Sequence, residues 1–316
     1  MTEREQLVLS LMSNRVALDK IKDVLSLSDH DFLITLKNIR ANYPNLTRQL
    51  DSEGTYFLIP VDQEIQPSNR VRINVQEDSF KLLLISDLHI GNKRDRLDLF
   101  DTVFDHATKK GIHYIANTGD IVENTYYLKP NKLRLKTLRG QITSYVRNYP
   151  YSPHIITINL YGNHDLKKDE DELDVAQTIE LERPDIISLG YGQGFIDIQN
   201  DFITLEHNLC NATKHRNAEY PITFRGHSHK TKYDLRRDNA LIFVPSLSDA
   251  LPTNYSEKPL KGFMESEFKL DETGHIKRIF IKEYTLEPHK KLASEMILSL
   301  RRDNDEWKKT KNIIND

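Results

Sequence analysis

Short apolar runs, each followed by a polar motif, constrain this chain more than any other feature of its sequence. The apolar run within 81–86 and similar segments at 113–118 and 155–160 alternate with helical patterns at 97–110, 132–149 and 170–182. Apolar runs of this length without polar alternation are typical of central strands that are covered on both faces. The segment 78–285 is therefore predicted to be an α/β domain, in which a β-sandwich is flanked by helices.

More strands are predicted downstream, where apolar and β-branched residues recur between turn-forming segments. They cover 195–198, 202–206 and 222–225, then paired strands across 233–245 and a hairpin of 262–270 with 276–284. The tail, residues 286–316, carries Leu292, Met296, Leu300 and Trp307. Their spacing predicts a C-terminal helix.

Residues 1–60 have a different pattern, which indicates a separate small α+β module. Apolar residues at helical spacing predict three helices, the third with Ser28 as its N-cap, and a β-hairpin follows. This order resembles a winged helix, so the third helix is a candidate for binding nucleic acid. Docking or dimerisation is the alternative, because the module holds seven Lys/Arg against eight Asp/Glu. Residues 61–77 are polar and are predicted to be a linker.

The composition excludes several classes of protein. Lys and Arg number 44 and Asp and Glu 47, a net charge of −3, which gives no overall drive towards polyanions or anionic membranes. The single cysteine, Cys210, excludes an intrachain disulfide and a thiolate metal cage. The apolar run at 7–12 is too short for a signal peptide, and no stretch approaches the length of a membrane span. A cytoplasmic protein without a membrane partner is therefore predicted.

Five polar motifs follow predicted strands, at the ends where ligands gather in α/β sheets. They are Asp87-Leu-His89-Ile-Gly91, Gly119-Asp120, Gly162-Asn163-His164-Asp165, His207 and Gly226-His227-Ser-His229. Together they supply carboxylates, an amide and imidazoles but no sulfur, a set that suits two Mn, Fe or Zn ions. Each motif alone is more typical of a turn, but five of them in order favour a metal centre. His207 has no flanking motif, and His215 competes with it.

The order and spacing of these motifs over residues 81–231 resemble the calcineurin-like metallophosphoesterase superfamily. The resemblance implies two groups of metal ligands and a bridge between them: Asp87, His89 and His229; Asn163, His207 and His227; and Asp120 as the bridge. It also implies that His164, held by Asp165, contacts the substrate phosphate and the leaving oxygen.

Two divalent cations are expected, Mn²⁺ in the first place with Fe or Zn as alternatives. Such a pair implies a hydrolytic mechanism. Ions about 4 Å apart lower the pKa of a bridging water, so that hydroxide attacks the phosphorus in line. His164 is expected to protonate the departing oxygen, with its pKa tuned by Asp165.

Two features of the sequence narrow the range of candidate substrates. Protein Ser/Thr phosphatases of this superfamily carry an arginine shortly after Gly-Asp, whereas this chain continues Ile121-Val-Glu-Asn124. The segment 86–91 resembles instead the opening of bacterial phosphodiesterases and of the Mre11-like and SbcD-like nuclease subunits. Two basic clusters near the motifs also suit a polyphosphate backbone or a nucleotide, although a solvated surface is the alternative. They comprise Lys129, Lys132, Arg134, Lys136, Arg139 and Arg147, four of them expected on one side of a helix, and Lys214, Arg216, Arg225, Lys230, Lys232, Arg236 and Arg237.

The predicted function is two-metal hydrolysis of phosphodiester bonds in nucleic acid or a nucleotide. A small-molecule phosphomonoesterase or a cyclic-nucleotide phosphodiesterase is one alternative, and a non-catalytic DNA-binding regulator with a phosphoesterase scaffold is another. The regulator is disfavoured because a scaffold has no need of His164 and Asp165. A homo-oligomer is expected, since winged modules and tail helices commonly dimerise.

Overall fold

The strands of the described chain form two mixed sheets and a separate strand pair. The computed structural model describes residues 2–13, 16–42, 46–50, 56–60, 69–73, 75, 77–166, 173–208, 220–235, 239–250, 261–286, 291–301 and 306–313. Over these ranges the helices are α1 Glu3–Ser13, α2 Leu18–Val24, α3 Asp29–Asn42, α4 Leu99–Lys110, α5 Leu138–Asn148, α6 Asn163–Leu166 and α7 Val175–Glu182. The strands up to residue 206 are β1 Leu46–Leu50, β2 Tyr56–Pro60, β3 Arg70–Ile73, β4 Ser79–Ile85, β5 Tyr114–Thr118, β6 Ile156–Tyr161, β7 Ile186–Tyr191, β8 Gln193–Ile198 and β9 Asp201–Glu206. Those that follow are β10 Ile222–Arg225, β11 Lys232–Leu235, β12 Ala240–Phe243, β13 Gly262–Leu270, β14 Ile276–Thr285, β15 Lys291–Arg301 and β16 Glu306–Ile313.

The larger sheet has the order β16-β15-β14-β13-β4-β5-β6-β7, and the smaller one β11-β12-β10-β9-β8-β3. In the larger sheet β4, β5, β6 and β7 run parallel, whereas β13 to β16 are antiparallel. In the smaller sheet β9, β10 and β12 run parallel. The carboxyl ends of β4, β5 and β6 therefore meet at one edge of one sheet, and those of β9 and β10 at one edge of the other.

Strand β4 shows why both faces of the larger sheet are apolar. Leu82 and Leu84 belong to the hydrophobic cluster that also holds side chains of the smaller sheet, such as Ile203 and Phe224. Leu83 and Ile85 belong to a second cluster, which includes residues of α4, α5 and α7. Because successive side chains of a strand point to opposite faces, a strand buried on both faces reads as a continuous apolar run. The predicted sandwich with flanking helices agrees with this arrangement.

Helices α3, α5 and α7 begin at residues that cap them through a side chain, and α4 ends at a glycine. Ser28 Oγ accepts from Asp31 N at 3.1 Å, which confirms the predicted N-cap of α3. Thr137 caps α5 by accepting from Gly140 N, and Asp174 caps α7 by accepting from Gln177 N. Gly111, in left-handed conformation, ends α4.

The N-terminal elements follow the predicted order of three helices and two antiparallel strands. Buried residues of all three helices, among them Met12, Ile21 and Phe32, form their core. Lys37 Nζ of α3 lies 2.6 Å from Glu182 Oε1 of α7, so the third helix contacts the sheet-based part of the chain. The winged-helix identity and the domain division at 60, 77 and 285 stay predictions.

Within the predicted linker, Arg70–Ile73 forms a strand that was not predicted, β3, which pairs in parallel with β8. Charged Arg70 and Arg72 interrupt this segment, yet Val71 and Ile73 alternate with them as in an edge strand. Strand β7 was not predicted either. The helix predicted over 132–149 begins only at Leu138, and the one predicted over 170–182 begins at Val175.

The predicted C-terminal helix is wrong, because the tail forms strands β15 and β16. Ser294, Met296 and Leu298 are buried with the two-residue period of a strand. The step of four residues from Leu292 to Met296 fits both periods, so this spacing could not separate them. Unpaired N–H and C=O groups along β14 favour a further strand, and pairing with β15 satisfies them.

No helix in the described part of the chain combines the length and apolarity that crossing a membrane requires.

Candidate metal centre

The loops after β4 and β5 are joined by main-chain hydrogen bonds, which fix their side chains at a common edge. Asp87 N donates to Gly119 O, and His89 N donates to Asp120 O, both at 3.0 Å. On the other sheet, Gly226 N donates to Glu206 O at 3.1 Å, next to His207. The structure therefore brings all five predicted motifs together.

The first ligand group, Asp87, His89 and His229, is buried at all three positions. His229 Nε2 lies 3.1 Å from His89 Nε2 and 3.3 Å from Asp87 Oδ1. Asp87 is held in place by Ser86 Oγ, which donates to it at 2.6 Å, and by the main-chain N–H of His227. Three such donor atoms within 4.8 Å of one another could hold one cation.

The second ligand group, Asp120, His207 and His227, lies beside the first, and His227 is its partly exposed member. His207 Nε2 is 3.1 Å from Asp120 Oδ2, and the same oxygen is 3.8 Å from His89 Nε2. Asp120 therefore faces both groups, as a bridging carboxylate would. The predicted ligands all lie at this edge, including His207, the one without a flanking motif.

Three glycines from three different strand ends make room for the His207 ring. A methyl group on Gly119, Gly162 or Gly226 would lie 2.4, 2.6 or 2.8 Å from a ring atom of His207. The ring also has a fixed orientation, because His207 Nδ1 lies 2.7 Å from Thr118 O and donates to it. The lone pair of His207 Nε2 is thereby turned towards the ligand groups.

Two buried polar atoms show that these residues fit a cation. Asn163 Oδ1 is buried and has no hydrogen-bond partner in the described structure, and His207 Nε2 is buried 3.1 Å from Asp120 Oδ2. A buried acceptor without a donor is costly, and a cation would satisfy Asn163 Oδ1 and replace the proton between His207 and Asp120. Oxygen and nitrogen donors without sulfur suit Mn²⁺, Fe or Zn²⁺.

The predicted pairing of Asp165 with the His164 ring is wrong. Asp165 accepts from three main-chain N–H groups, those of Ile121, Val122 and Gly162, at 3.1, 2.9 and 2.8 Å. His164 Nδ1 lies instead 2.7 Å from Glu123 O. Asp165 thus ties the loop after β5 to the loop after β6, and Glu123 sets the orientation of the His164 ring.

Glu123 is a carboxylate of the site that sequence reasoning missed. Its Oε2 lies 3.1 Å from His89 Nδ1 and accepts from Asn92 Nδ2 at 2.8 Å, and its Oε1 lies 3.6 Å from His164 Nδ1. The signal was present, because Glu123 follows Asp120 by three residues. In the sequence, Glu123 marks only a departure from the arginine motif of the protein Ser/Thr phosphatases.

Six polar residues at this edge hold a left-handed backbone, with φ between 47° and 71°. They are Asp87, His89, Asp120, Asn124, His227 and His229. Such conformations are uncommon outside glycine, although Asn, Asp and His adopt them more readily than other residues. Their concentration here indicates a functional constraint on the backbone.

Mutual charge shifts the pKa values of these groups. Burial lowers the pKa of His89, but the charges of Glu123, Asp120 and Asp87 outweigh it and raise the pKa to about 9. The pKa of His207 also rises to about 9, because Asp120 and Asp87 outweigh burial. Burial and the charge of His89 lower the pKa of His229 to about 4, although Asp87 opposes this.

Two carboxylates of the site shift in opposite directions. The pKa of Asp120 falls well below its ordinary value despite burial, because His207 and His164 stabilise its charge. Burial and the charge of Asp120 raise the pKa of Asp165 to about 7. Without cations, protons on His89 and His207 offset part of the negative charge of the ligand groups.

The basic clusters are only partly as predicted. Lys132 and Lys136 precede α5, so they do not share a helix face with Arg139 and Arg147. Arg134 pairs with Asp95, and Arg225 pairs with Glu206. Lys214, Arg216, Arg236 and Arg237 lie outside the described residues, as do Cys210 and His215. Lys129, Lys132, Lys230 and Lys232 are exposed near the site in sequence.

Comparison with models of protein families finds a match for the part of the chain that carries three of these motifs. Residues 80–206 match the Metallophos family, described as calcineurin-like phosphoesterase. The matched residues include the loops after β4, β5 and β6. A search of curated proteins found no match.

Several solved structures are similar to this chain at low identity. Vps29 from Entamoeba histolytica in complex with Zn²⁺ is 14% identical, with 67% of this chain and 97% of that chain covered and a TM-score of 0.39. An archaeal phosphodiesterase is 16% identical, with 66% and 100% covered and a TM-score of 0.41. The phosphoesterase YfcE from E. coli is 16% identical, with 62% and 96% covered and a TM-score of 0.35. At these values the likenesses carry no argument about activity.

Proposed function

We propose that this chain hydrolyses phosphodiester bonds of nucleic acid or a nucleotide with two divalent cations, Mn²⁺ in the first place. The observation that carries the proposal is the position of Asp120. Its Oδ2 faces His207 of one ligand group and His89 of the other, at 3.1 and 3.8 Å. Two adjacent cation sites that share one carboxylate are suited to in-line phosphoryl transfer.

The first ligand group would hold one cation, and the second group with Asn163 Oδ1 would hold the other. When bound, two cations supply a nucleophile at neutral pH and neutralise charge on the phosphoryl oxygens. The chain's contribution is to fix these donors: Ser86 orients Asp87, Thr118 O orients His207, and Glu123 orients His89.

His164 is proposed to protonate the leaving oxygen. Its Nδ1 is engaged with Glu123 O, and its main-chain N–H donates to Asp120 Oδ1 at 3.0 Å. His164 Nε2 lies 4.0 Å from Asp120 Oδ2, so this atom of the ring faces the ligand groups. An imidazolium at this position can deliver its Nε2 proton to a departing alkoxide.

The preference for nucleic acid or a nucleotide is supported by the charge of the segment after the Gly-Asp motif. Residues 126–150 contain no Asp or Glu, and Lys129 and Lys132 are exposed. Exposed lysines close in sequence to the ligand motifs would attract a substrate with several phosphates.

The test compares two aryl phosphates on the full chain loaded with Mn²⁺. A bis(aryl) phosphate diester should be cleaved faster than the corresponding aryl monoester. Faster turnover of the monoester would replace the diesterase with the phosphomonoesterase alternative, and no turnover of either would favour a non-catalytic regulator. Single-stranded, double-stranded and mononucleotide substrates would then identify the physiological class, with metal content measured on the same samples.

The remaining predictions extend this proposal. A winged-helix-like N-terminal module would bind the substrate or a partner, and the protein would act in the cytoplasm. A homo-oligomer is also proposed, and light scattering of the full chain would measure its mass directly.

A further inference from the structure

The ring of His164, the proposed proton donor, contacts two aromatic neighbours. Tyr127 stacks on its face, with ring centroids 4.1 Å apart and planes inclined by 25°. The ring of His89 meets it edge to face, with centroids 4.7 Å apart and planes at 89°. His89 is a candidate cation ligand, whereas no step of the proposed hydrolysis involves Tyr127. Tyr127 is thus an aromatic wall of the site whose role is open.

The contacts of Tyr127 are made with the site and not with the hydrophobic core. Its side chain is 37% exposed, and within the described residues it belongs to neither hydrophobic cluster. Its hydroxyl donates to Asn163 O at 3.0 Å, the carbonyl group directly before His164. A tyrosine that serves stability buries its ring among apolar side chains, whereas this ring covers an imidazole. Ring and hydroxyl therefore contact one unit, the His164 imidazole and the peptide group that precedes it.

Asn124, three residues before Tyr127, connects the same two loops. Asn124 is buried, and its Nδ2 donates to His164 O at 2.9 Å. Its main-chain N–H donates at 2.8 Å to Oε1 of Gln141, a fully buried residue of α5. The loop after β5 is therefore bonded to both peptide groups that flank the Cα atom of His164, one through Asn124 and one through Tyr127.

The orientation of the His164 ring decides whether its Nε2 reaches the leaving oxygen. The hydrogen bond from Nδ1 to Glu123 O, at 2.7 Å, fixes one ring atom but not the plane of the ring. The torsion that turns an imidazole about its Cβ–Cγ bond has broad minima, so contacts outside the residue must set that plane. Tyr127 supplies such a contact over one face. A misdirected donor atom slows proton transfer steeply, which makes this contact relevant to the reaction.

We propose that Tyr127 is a positioning residue for proton transfer: its ring sets the plane of the His164 imidazole and thereby directs Nε2 towards the departing oxygen. The inference rests on the proposed function and adds a residue that acts only through His164. In the step itself, a water oxygen bonds to phosphorus and releases a proton, and the bond to the leaving oxygen breaks with its electron pair. The Nε2 proton of His164 moves to that oxygen, and Tyr127 exchanges no proton.

Two diesters that differ in leaving group test this role on the full chain loaded with Mn²⁺. Methyl phenyl phosphate releases a basic phenolate, which needs a proton, and methyl 4-nitrophenyl phosphate releases a weakly basic one. Tyr127→Leu should lower kcat roughly tenfold more for the phenyl ester than for the nitrophenyl ester, with KM of both nearly unchanged. Tyr127→Phe keeps the ring and should preserve the ratio of the two kcat values. The control is Tyr220→Leu, which removes a ring that packs on Phe195 of β8 and Phe202 of β9 and should leave the ratio unchanged.

A double variant shows whether Tyr127 acts through His164. His164→Ala should lower the same ratio by itself, and Tyr127→Leu should change it no further in the His164→Ala background. Equal loss on both esters for Tyr127→Leu, or an additional fall of the ratio in the double variant, would overturn the inference.

The ring orientation can also be measured without turnover, which separates this inference from the proposed function. In metal-free protein with isotope-labelled histidine, the NMR signals of the His164 ring protons are assigned by their loss in His164→Ala. The face of Tyr127 should shift them upfield, and Tyr127→Leu should abolish this shift while Tyr127→Phe retains it. If the wild type cleaves neither ester with any divalent cation but the shift depends on Tyr127, the proposed function fails and the positioning of the ring stands. Identical signals in the wild type and Tyr127→Leu would show that Tyr127 does not position the ring.

Discussion

The two ligand groups have similar chemistry but differ in how firmly the chain holds them. In the first group all three side chains are buried, and Asp87 receives hydrogen bonds from Ser86 and from the main chain of His227. In the second, His207 occupies a slot between glycines, whereas His227 is partly exposed. The difference predicts a tightly held cation at the first group and a more exchangeable one at the second.

Replacing Asp120, the carboxylate that faces both groups, should abolish the difference in cation binding between them. Asp120→Asn is expected to weaken both cation sites and to lower kcat for a diester by roughly a thousandfold, because metal-based charge stabilisation is worth several kcal/mol. Elemental analysis should find fewer than two cations per chain. Retention of two cations by this variant would contradict the bridging role.

Removing one histidine from each group should show that the two groups differ in how they bind a cation. His229→Ala is expected to lose activity by more than about a hundredfold at every Mn²⁺ concentration, because the buried first group has no solvent to replace the ligand. His227→Ala should recover much of its activity at high Mn²⁺, since the second group is open to water. The same concentration dependence in both variants would show that the groups do not differ.

The contact of Glu123 with His89 of the first group can be tested against a similar contact between a glutamate and a histidine outside the site. Glu123→Gln should weaken Mn²⁺ affinity roughly tenfold to a hundredfold, because Glu123 fixes the His89 ring. Glu265→Gln affects another buried glutamate, which lies 2.8 Å from His106 Nε2. That control should lower the melting temperature and retain Mn²⁺ affinity, and equal losses of affinity would assign Glu123 a structural role.

The affinity of the site for a cation should also depend on pH. In the metal-free chain the pKa values of His89 and His207, one from each group, are about 9, so a cation must displace protons below that pH. Affinity should fall as pH is lowered from 9 to 7, by no more than about tenfold per pH unit for each proton displaced. Calorimetry in buffers of different ionisation enthalpy would count these protons.

The stability of the metal-free fold should change with pH in the opposite sense. Raised pKa values mean that protonated His89 and His207 stabilise the fold fully below their ordinary pKa of 6.5. This contribution is lost as pH rises towards 9. A melting temperature that is independent of pH over this range would contradict the charge balance inferred for the metal-free site.

The grouping of the candidate ligands was predictable because they follow apolar runs that only a sheet accommodates. Asp87, Asp120 and Asn163 come directly after strands whose parallel pairing puts their ends together, and order along the chain was enough to group them. Glu123 was missed because its role depends on the path of a loop. Nothing in the local pattern shows that Glu123 meets His89 or that Tyr127 stacks on His164.

The errors in the fold have a similar origin. The tail was predicted to be helical because Leu292 and Met296 fit a helical step, and only the neighbouring strand β14 decides between the two periods. Strand β3 was missed because pairing with β8, more than a hundred residues away, stabilises it. Asp165 was expected to hold His164, but the tight loop after β6 places its carboxylate on main-chain donors.

The left-handed backbone at the ligand residues has a consequence for heat resistance. Each such residue costs about 1 kcal/mol or more, and six of them lie at this edge. Folding of the chain therefore includes a local free-energy cost, and the backbone conformation that causes it orients the candidate ligand side chains. Cations that bind the native state shift the equilibrium back by mass action, so ion concentration and melting temperature should rise together. Chelation would then act as a mild denaturant, and the temperature range of this protein would depend on the metal supply of its surroundings.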